Sequence, residues 1–298
     1  MKLYKGMLLK DLRQVTIVGL GLVGGSVALA VRRAMPRVRC VGYSHRDATR
    51  QKARELGVAD YIADDLIESV AEAGLLIVAT PIRTFETLFE RLADHLPADC
   101  IVTDVGSTKV QAHRWADAIL GRRVHYVGSH PIAGSEKRGL EFARDDLLSG
   151  ARCVVTRRRS TDADAVGLVE QFWQVLGCNV HTMSPAEHDR ILGYVSHVPH
   201  LLAAALVNAT DPDQMRFAGK GFVDTSRVAS GPANIWTDVL LTNSDNAVRG
   251  IHRVVKELLR LQTAIRSRNT RQIESLLEKA HQRRAEMIEF KIRNKELL

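Results

Sequence analysis

The chain has 298 residues, 45% of them hydrophobic and 26% charged, a composition that excludes disorder or a fibrous repeat as the main state and allows one large domain or two ordinary ones. The net charge of +8 is concentrated in residues 249–298, where 13 Lys and Arg face 6 acids; these basic residues are interleaved with acidic and apolar ones, the pattern of solvated helix faces rather than of a groove-reading element, so no nucleic-acid partner is expected. The four cysteines form no Cys-x-x-Cys pair, which argues against a zinc ribbon, a redox pair or a disulfide scaffold and for buried thiols in a reducing, cytoplasmic compartment.

In chain order, Met7-Leu8-Leu9 is too short for the apolar core of a secretory signal. The uncharged stretch 15–31 has membrane-span length but carries Gly19, Gly21, Gly24 and Gly25 in its middle. That composition predicts strand–turn–helix, and no membrane partner is expected. Apolar runs at 15–19, 39–43, 75–80, 100–106, 124–128, 151–156 and 180–183 read as strands. Amphipathic stretches at 23–34, 47–56, 83–96, 107–120 and 162–176 read as helices between them. This alternation predicts an α/β domain over residues 1–183, a doubly wound, mostly parallel sheet of the Rossmann type. At Ser184-Pro185-Ala186-Glu187 the character changes to a helix start with a capping serine, a first-turn proline and a glutamate three residues on. Residues 184–298 read as an all-helical domain. Pro199 is expected to kink or break its first helix, and a glycine-containing segment, 219–232, follows. Two long helices, 245–266 and 270–292, each carry one apolar stripe: Val248, Ile251, Val255, Leu258 and Leu261, then Ile273, Leu276, Leu277 and Ala280. A domain this small has limited means to bury both, which predicts a helical bundle and a homodimer.

Several motifs sit where this fold does chemistry. Gly19-Leu20-Gly21-Leu22-Val23-Gly24 fits G-x-G-x-x-G between a strand and a helix. Gly19 allows the tight turn, Gly21 admits a pyrophosphate to the backbone and Gly24 lets helix and strand pack. After the second strand, Ser44 stands where an NAD-selective fold places an acid. Ser44, His45 and Arg46 suit a 2′-phosphate, against which stands an incidental exposed turn, with Asp47 as the helix cap. Thr80-Pro81 ends the next strand beside the dinucleotide crevice. Ser107, in Asp104-Val105-Gly106-Ser107-Thr108-Lys109, faces the crevice, caps the following helix, or does both. His130, in Ser129-His130-Pro131, follows a strand end and is either a proton acceptor near neutral pH or a structural histidine. His197 and His200, in Ser196-His197-Val198-Pro199-His200, share a helix face. A metal site there lacks a well-spaced third ligand, Glu187 and His188 being poor candidates, and contact with an acidic substrate is the better reading. Arg227 is placed to grip a carboxylate or to pair with Asp224, and Trp236 lies nearby in sequence.

Together, GLGLVGGS, DVGSTK, SHPIAG, SHVPH and the TSRVA…W segment, in this order from about residue 15 to the end, resemble the TyrA family of prephenate, arogenate and cyclohexadienyl dehydrogenases. The resemblance implies a Rossmann domain followed by a helical dimerisation domain. It implies NAD(P)-dependent oxidative decarboxylation of prephenate to 4-hydroxyphenylpyruvate, or of arogenate to tyrosine, in tyrosine biosynthesis, without a metal. It implies little room for the chorismate mutase or ACT domains that some members add. By the same resemblance His130 is the histidine that hydrogen-bonds the ring hydroxyl, and Ser107 contacts that hydroxyl and the nicotinamide. His197 and His200 are the helix histidines, with His200 the side-chain contact. Arg227 binds a substrate carboxylate, and Trp236 belongs near the site, contributed by the same subunit or by its partner. Ser44 departs from the acid of NAD-dependent members, which points to NADP ahead of NAD. The alternatives are a β-hydroxyacid dehydrogenase-like or pyrroline carboxylate reductase-like enzyme, neither of which calls for both SHPIAG and SHVPH, and a nucleotide-sensing regulator without turnover.

Overall fold

A computed structural model describes residues 9–121, 123–133, 137 and 139–294; Gly134 of the SHPIAG motif lies outside them. The chain forms two compact units, 1–244 and 245–298. The change in element type at Ser184 and the change in compactness after Ser244 are thus different boundaries, because the helices between them belong to the first unit.

The first unit opens with β1 (Gln14–Val18), α1 (Leu22–Ala34), β2 (Arg39–Tyr43), α2 (Asp47–Glu55), β3 (Tyr61–Ile62), α3 (Leu66–Val70), β4 (Leu75–Val78), α4 (Phe85–Leu92), β5 (Ile101–Asp104), α5 (Val110–Ile119) and β6 (His125–Tyr126). The six strands are parallel in the order β3-β2-β1-β4-β5-β6, the Rossmann arrangement expected from the alternating runs. Alternate strand residues feed opposite faces. Val15, Ile17, Leu75 and Ile77 join the core under α1, whereas Val18, Leu76 and Val78 join the core under α4 and α5. This two-faced burial is why these runs read as continuously apolar.

The chain then leaves that sheet. β7 (Gly128–Ile132), β8 (Arg152–Thr156), α6 (Ala163–Val175) and β9 (Asn179–Met183) build a second sheet of three strands, β7-β8-β9, with β7 antiparallel to β8. The sequence reading ended a strand before His130; instead His130 is the middle residue of β7. The apolar runs at 151–156 and 180–183 mark β8 and β9, but nothing in the sequence marks β7, nor the two-residue β3 or five-residue α3, which are too short to show a period. The sheets are joined at Ser129, whose hydroxyl meets Thr103 at 2.7 Å and accepts from Trp173 Nε1 at 2.9 Å.

Ser184 caps α7 (Pro185–Leu192) by accepting from the Glu187 N–H. The helix does not break at Pro199. A π-helical turn over Gly193–His197 leads directly into α8 (Val198–Asn208), and a wide turn of this kind accommodates the proline's missing N–H and its ring. Residues 185–208 are long and apolar enough to cross a membrane by composition, yet His188, Asp189, His197 and His200 along this run are buried. α9 (Pro212–Met215), α10 (Lys220–Ser226), a 3-10 turn at Arg227–Ser230 and α11 (Ala233–Thr242) complete the unit, so most of the glycine-containing segment is helical.

The second unit holds α12 (Ser244–Arg266, whose first residue closes the first unit) and α13 (Thr270–Arg293). Only Ala247, Gly250 and Ala264 of α12 are buried, and no residue of α13 is. Val248, Ile251, Val255, Leu258 and Leu277 of the two stripes are exposed.

Candidate active site

The turn between β1 and α1 is built by backbone. Gly19 has φ +106°, and a Cβ there would lie 2.5 Å from the Ala79 carbonyl oxygen. A Cβ on Gly24 would lie 1.9 Å from the Gly19 oxygen, so α1 can sit this close to β1 only without a side chain. Gly21 differs: a Cβ there would meet nothing within 4 Å. Gly21 is also the N-cap of α1 and provides no side-chain cap, so the first N–H groups of a 13-residue helix face that open space. Leu20 is buried in the core while Leu22 and Val23 begin the helix. Residues 19–24 therefore fit a dinucleotide pyrophosphate, bound by main-chain donors and the positive end of the helix. Thr80 and Pro81 lie just past β4, beyond the Ala79 that packs on Gly19 and Gly24.

At the tip of β2, Ser44 is buried while His45 and Arg46 are exposed. Asp47 is the first residue of α2 rather than its cap. Its carboxylate pairs with Arg50 and not with Arg46. Arg50 is the cation the sequence reading missed. It donates to the Ser44 carbonyl at 2.7 Å and lies over the Tyr43 ring, 5.9 Å from its centre. Its place on the first turn of α2, facing back toward the strand tip, is the signal that could have found it.

A second group of candidate residues is made of histidines. His130 Nδ1 lies 2.9 Å from His188 Nε2, and His188 Nδ1 lies 2.8 Å from Asp189 Oδ1. Asp189 accepts the backbone N–H groups of Lys109 at 2.7 Å and Val110 at 2.8 Å, so it caps α5. Ser107 is not that cap: the helix begins at Val110, and Ser107 lies half-buried in the loop after β5. Further along, His200 stacks on Trp236 with ring centres 3.6 Å apart, and His197 meets the same indole edge-on at 6.1 Å. The single chain thus brings Trp236 to both helix histidines. A Cβ on Gly231 would lie 2.3 Å from Trp236 Nε1 and 3.0 Å from His200 Cε1, so this stack requires glycine behind it. His200 Nδ1 is buried without a hydrogen-bond partner. Arg227 begins the 3-10 turn that packs on α8, beside Val228, whose backbone hydrogen-bonds His200. Asp224 is bound by Lys220 at 2.8 Å.

Burial holds these imidazoles neutral. It pushes His130 well below the usual histidine value, with repulsion from His188, Lys109 and His197 adding to the effect. His188 is lowered mainly by burial, against the opposing bond to Asp189, and burial takes His197 down to about 4. Neutral imidazoles accept protons, as a base must. Among the described residues no three His, Cys, Asp or Glu side chains converge as metal ligands.

Beneath the histidines lies a buried ion pair. Lys109 Nζ, fully buried, bonds Asp104 and donates to the Ser129 carbonyl at 2.7 Å. Tyr126 donates to the other Asp104 oxygen at 2.6 Å. Lys109 thereby fixes the peptide that precedes His130. The sequence displayed Asp104 and Lys109 in one motif, but nothing in it showed that they pair under another strand.

Comparison with known proteins identifies the family to which this fold belongs. The family model described as prephenate dehydrogenase, nucleotide-binding domain, matches residues 27–182, and that described as prephenate dehydrogenase, dimerization domain, matches residues 184–280. A prephenate dehydrogenase of Bacillus subtilis is 38% identical over 84% of this chain and 70% of its own length. A cyclohexadienyl dehydrogenase of Zymomonas mobilis is 30% identical over 86% of this chain and 90% of its own. The crystal structure of prephenate dehydrogenase from Aquifex aeolicus in complex with hydroxyphenyl propionate and NAD+ superimposes with a TM-score of 0.87 at 32% identity, covering 93% of this chain and 98% of that one. With both family models matched in order along the chain and relatives at 30–38% identity over most of it, the chain belongs to the prephenate dehydrogenase family of NAD(P)-dependent oxidoreductases.

Proposed function

We propose that the protein catalyses the oxidative decarboxylation of prephenate to 4-hydroxyphenylpyruvate in tyrosine biosynthesis, with arogenate as the second substrate and NADP preferred over NAD. The observation that carries this reading is the neutral His130, held on β7 by His188 within the unit that also bears the phosphate turn. When bound, the nicotinamide accepts hydride from the ring carbon that bears the substrate hydroxyl. His130 accepts the hydroxyl proton as the carbonyl forms, and Ser107 hydrogen-bonds the same oxygen. That carbonyl is conjugated to the carbon losing CO2, and aromatisation drives the loss. Arg227 grips a carboxylate, while His200, backed by the Trp236 ring stacked on it, contacts the substrate. A positioned base of this kind contributes about 10²–10⁴-fold in rate. The deciding experiment is turnover of prephenate and of arogenate, each with NAD and with NADP, followed by absorbance of the reduced cofactor. A folded protein that turns over neither substrate with either cofactor overturns the reading.

Support for NADP comes from the β2 tip, where Ser44 stands in place of an acid and His45 and Arg46 are exposed beside it. The change of element type at Ser184 divides cofactor binding from substrate binding and dimerisation. Two exposed apolar stripes on α12 and α13 support a homodimer. Light scattering at micromolar protein is expected to give the mass of two chains, and the mass of one would contradict it. Four free, buried cysteines suit the reducing cytoplasm.

A further inference from the structure

We propose that His188 and Asp189 are positioning residues that set the tautomer of His130, leaving its Nε2 lone pair bare for the substrate proton. This rests on the reading of His130 as proton acceptor, but the tautomer can be measured without turnover. Asp189 is 1% exposed, and its two oxygens take the N–H groups of Lys109 and Val110 at 2.7 and 2.8 Å. A carboxylate so engaged only accepts. His188 Nδ1, 2.8 Å from Asp189 Oδ1, is therefore the protonated nitrogen of that ring. A neutral imidazole carries one proton, so His188 Nε2 accepts. His130 Nδ1 lies 2.9 Å from it and must donate, which leaves His130 Nε2 without a proton.

The line is anchored at its far end. Asn243 Nδ2 donates to the Asp189 carbonyl at 2.7 Å and reaches His197 Nδ1 at 3.2 Å. The carboxylate is fixed by the start of α5, and the carbonyl next to His130 by Lys109 Nζ at 2.7 Å. Both ends of the His130–His188 contact are thus tied to the same short stretch, Lys109–Val110. The arrangement selects one of two tautomers that are close in energy for a free imidazole, and only one of the two has a base facing away from His188.

The first test is side-chain ¹⁵N NMR of the histidines in the whole protein at neutral pH. His130 is expected to show a protonated Nδ1 and a bare Nε2; a protonated Nε2 overturns the proposal. The second is Asp189→Asn. With its carbonyl on the Val110 N–H, the amide NH2 takes the place of Oδ1, which had accepted from both the Lys109 N–H and His188 Nδ1, and reverses every donor along the line. The His130 proton moves to Nε2, and kcat falls at least about 10²-fold, the lower end for loss of a general base, while substrate KM stays within about threefold. A folded variant that retains kcat within threefold overturns the proposal. The third does not depend on Asp189→Asn folding. His188→Leu removes the acceptor for His130 Nδ1, whereas the His188→Gln carbonyl reaches the same place. The glutamine variant is expected to exceed the leucine variant in kcat by about tenfold or more, and equal rates overturn the proposal. Absence of turnover in the wild type would defeat the proposed function, while the NMR spectrum would still decide the tautomer.

Discussion

The phosphate turn and the histidine cluster meet their ligands by opposite means. The turn uses main-chain N–H groups and empty space: Gly19 and Gly24 are set by what a Cβ would strike, Gly21 by striking nothing. It contains no group that titrates, so pH leaves it unchanged and only added volume harms it. The histidine cluster uses side chains that do titrate. Burial keeps them neutral, and a buried ion pair supports them from below. The first region is steric and local; the second is electrostatic and assembled from segments around residues 104–110, 126–130, 188–200 and 236–243. The comparison can be broken at points where one kind of damage leaves the other untouched.

The largest expected effect on rate is at His130. His130→Asn removes the proton acceptor but leaves the phosphate turn intact, so kcat is expected to fall about 10²–10⁴-fold with little change in KM for substrate or cofactor. Loss of a transition-state interaction appears in kcat. An unchanged kcat would reassign His130 to structure.

Lys109→Met strikes the support rather than the reacting groups. It leaves Asp104 buried with Tyr126 but without its cation. Removing one partner of a buried pair costs about 3–5 kcal/mol, readable as a fall in urea midpoint at unchanged slope. A loss below about 1 kcal/mol would mean that Tyr126 and the N–H groups of Gly106, at 2.6 Å, and Ser129, at 3.3 Å, satisfy the carboxylate without the lysine.

Titration separates the two regions next. His113 is buried behind the cluster, 3.0 Å from Thr156 Oγ1 and edge-on to Tyr126. Burial first, then repulsion from Lys109, takes its pKa down to about 3. The unfolded chain binds a proton near the ordinary histidine value, which the folded chain refuses until about pH 3. Stability is therefore independent of this group above about pH 6.5 and falls as pH drops through the window below it. At about pH 5 the penalty is about 2 kcal/mol. His113→Gln, which can still bond Thr156, is expected to lose that much less stability than wild type between about pH 7 and about pH 5, measured by urea unfolding. Equal slopes would show that His113 takes up its proton in the folded state.

How much of each region was legible in the sequence follows from the same contrast. Gly19, Gly21 and Gly24 act within six consecutive residues, and the parallel, doubly wound class of the sheet followed from the alternation of strands and helices, whereas the strand order is visible only in the fold. His130 was found, but not the strand it occupies, since a five-residue strand containing proline gives no apolar run. His188 was weighed only as a metal ligand, and Asp189 not at all. Their roles depend on α7 bringing residue 188 to residue 130 and residue 189 to the start of α5, contacts some 58 and 80 positions apart. Pro199 misled because the π-turn that absorbs it has no sequence period of its own. The aromatic wall was legible only as residue types: His200 and Trp236 were named, while the stack and the glycine behind it are tertiary facts.

The smallest expected effect lies at the steric region's one polar edge, the tip of β2. An acid at position 44 would accept from ribose hydroxyls and repel a 2′-phosphate, whereas the Ser44 hydroxyl can donate to that phosphate and carries no charge to repel it. Ser44 is buried and its carbonyl is held by Arg50, so the tip is rigid, and Arg46 stands exposed beside it. Arg46 is not neutralised by Asp47, whose carboxylate is taken by Arg50; this strengthens the expectation that NADP is used at least as well as NAD. One charge-assisted hydrogen bond contributes about 1.5–3 kcal/mol, about tenfold or more in affinity. Ser44→Asp is therefore expected to lower the NADP-to-NAD ratio of kcat/KM by about tenfold or more, with kcat on saturating cofactor nearly unchanged because His130 lies in the other region. A wild type that prefers NAD by tenfold, or a ratio that Ser44→Asp does not move, would show that the β2 tip does not read the ribose, and that cofactor choice is made by residues other than Ser44.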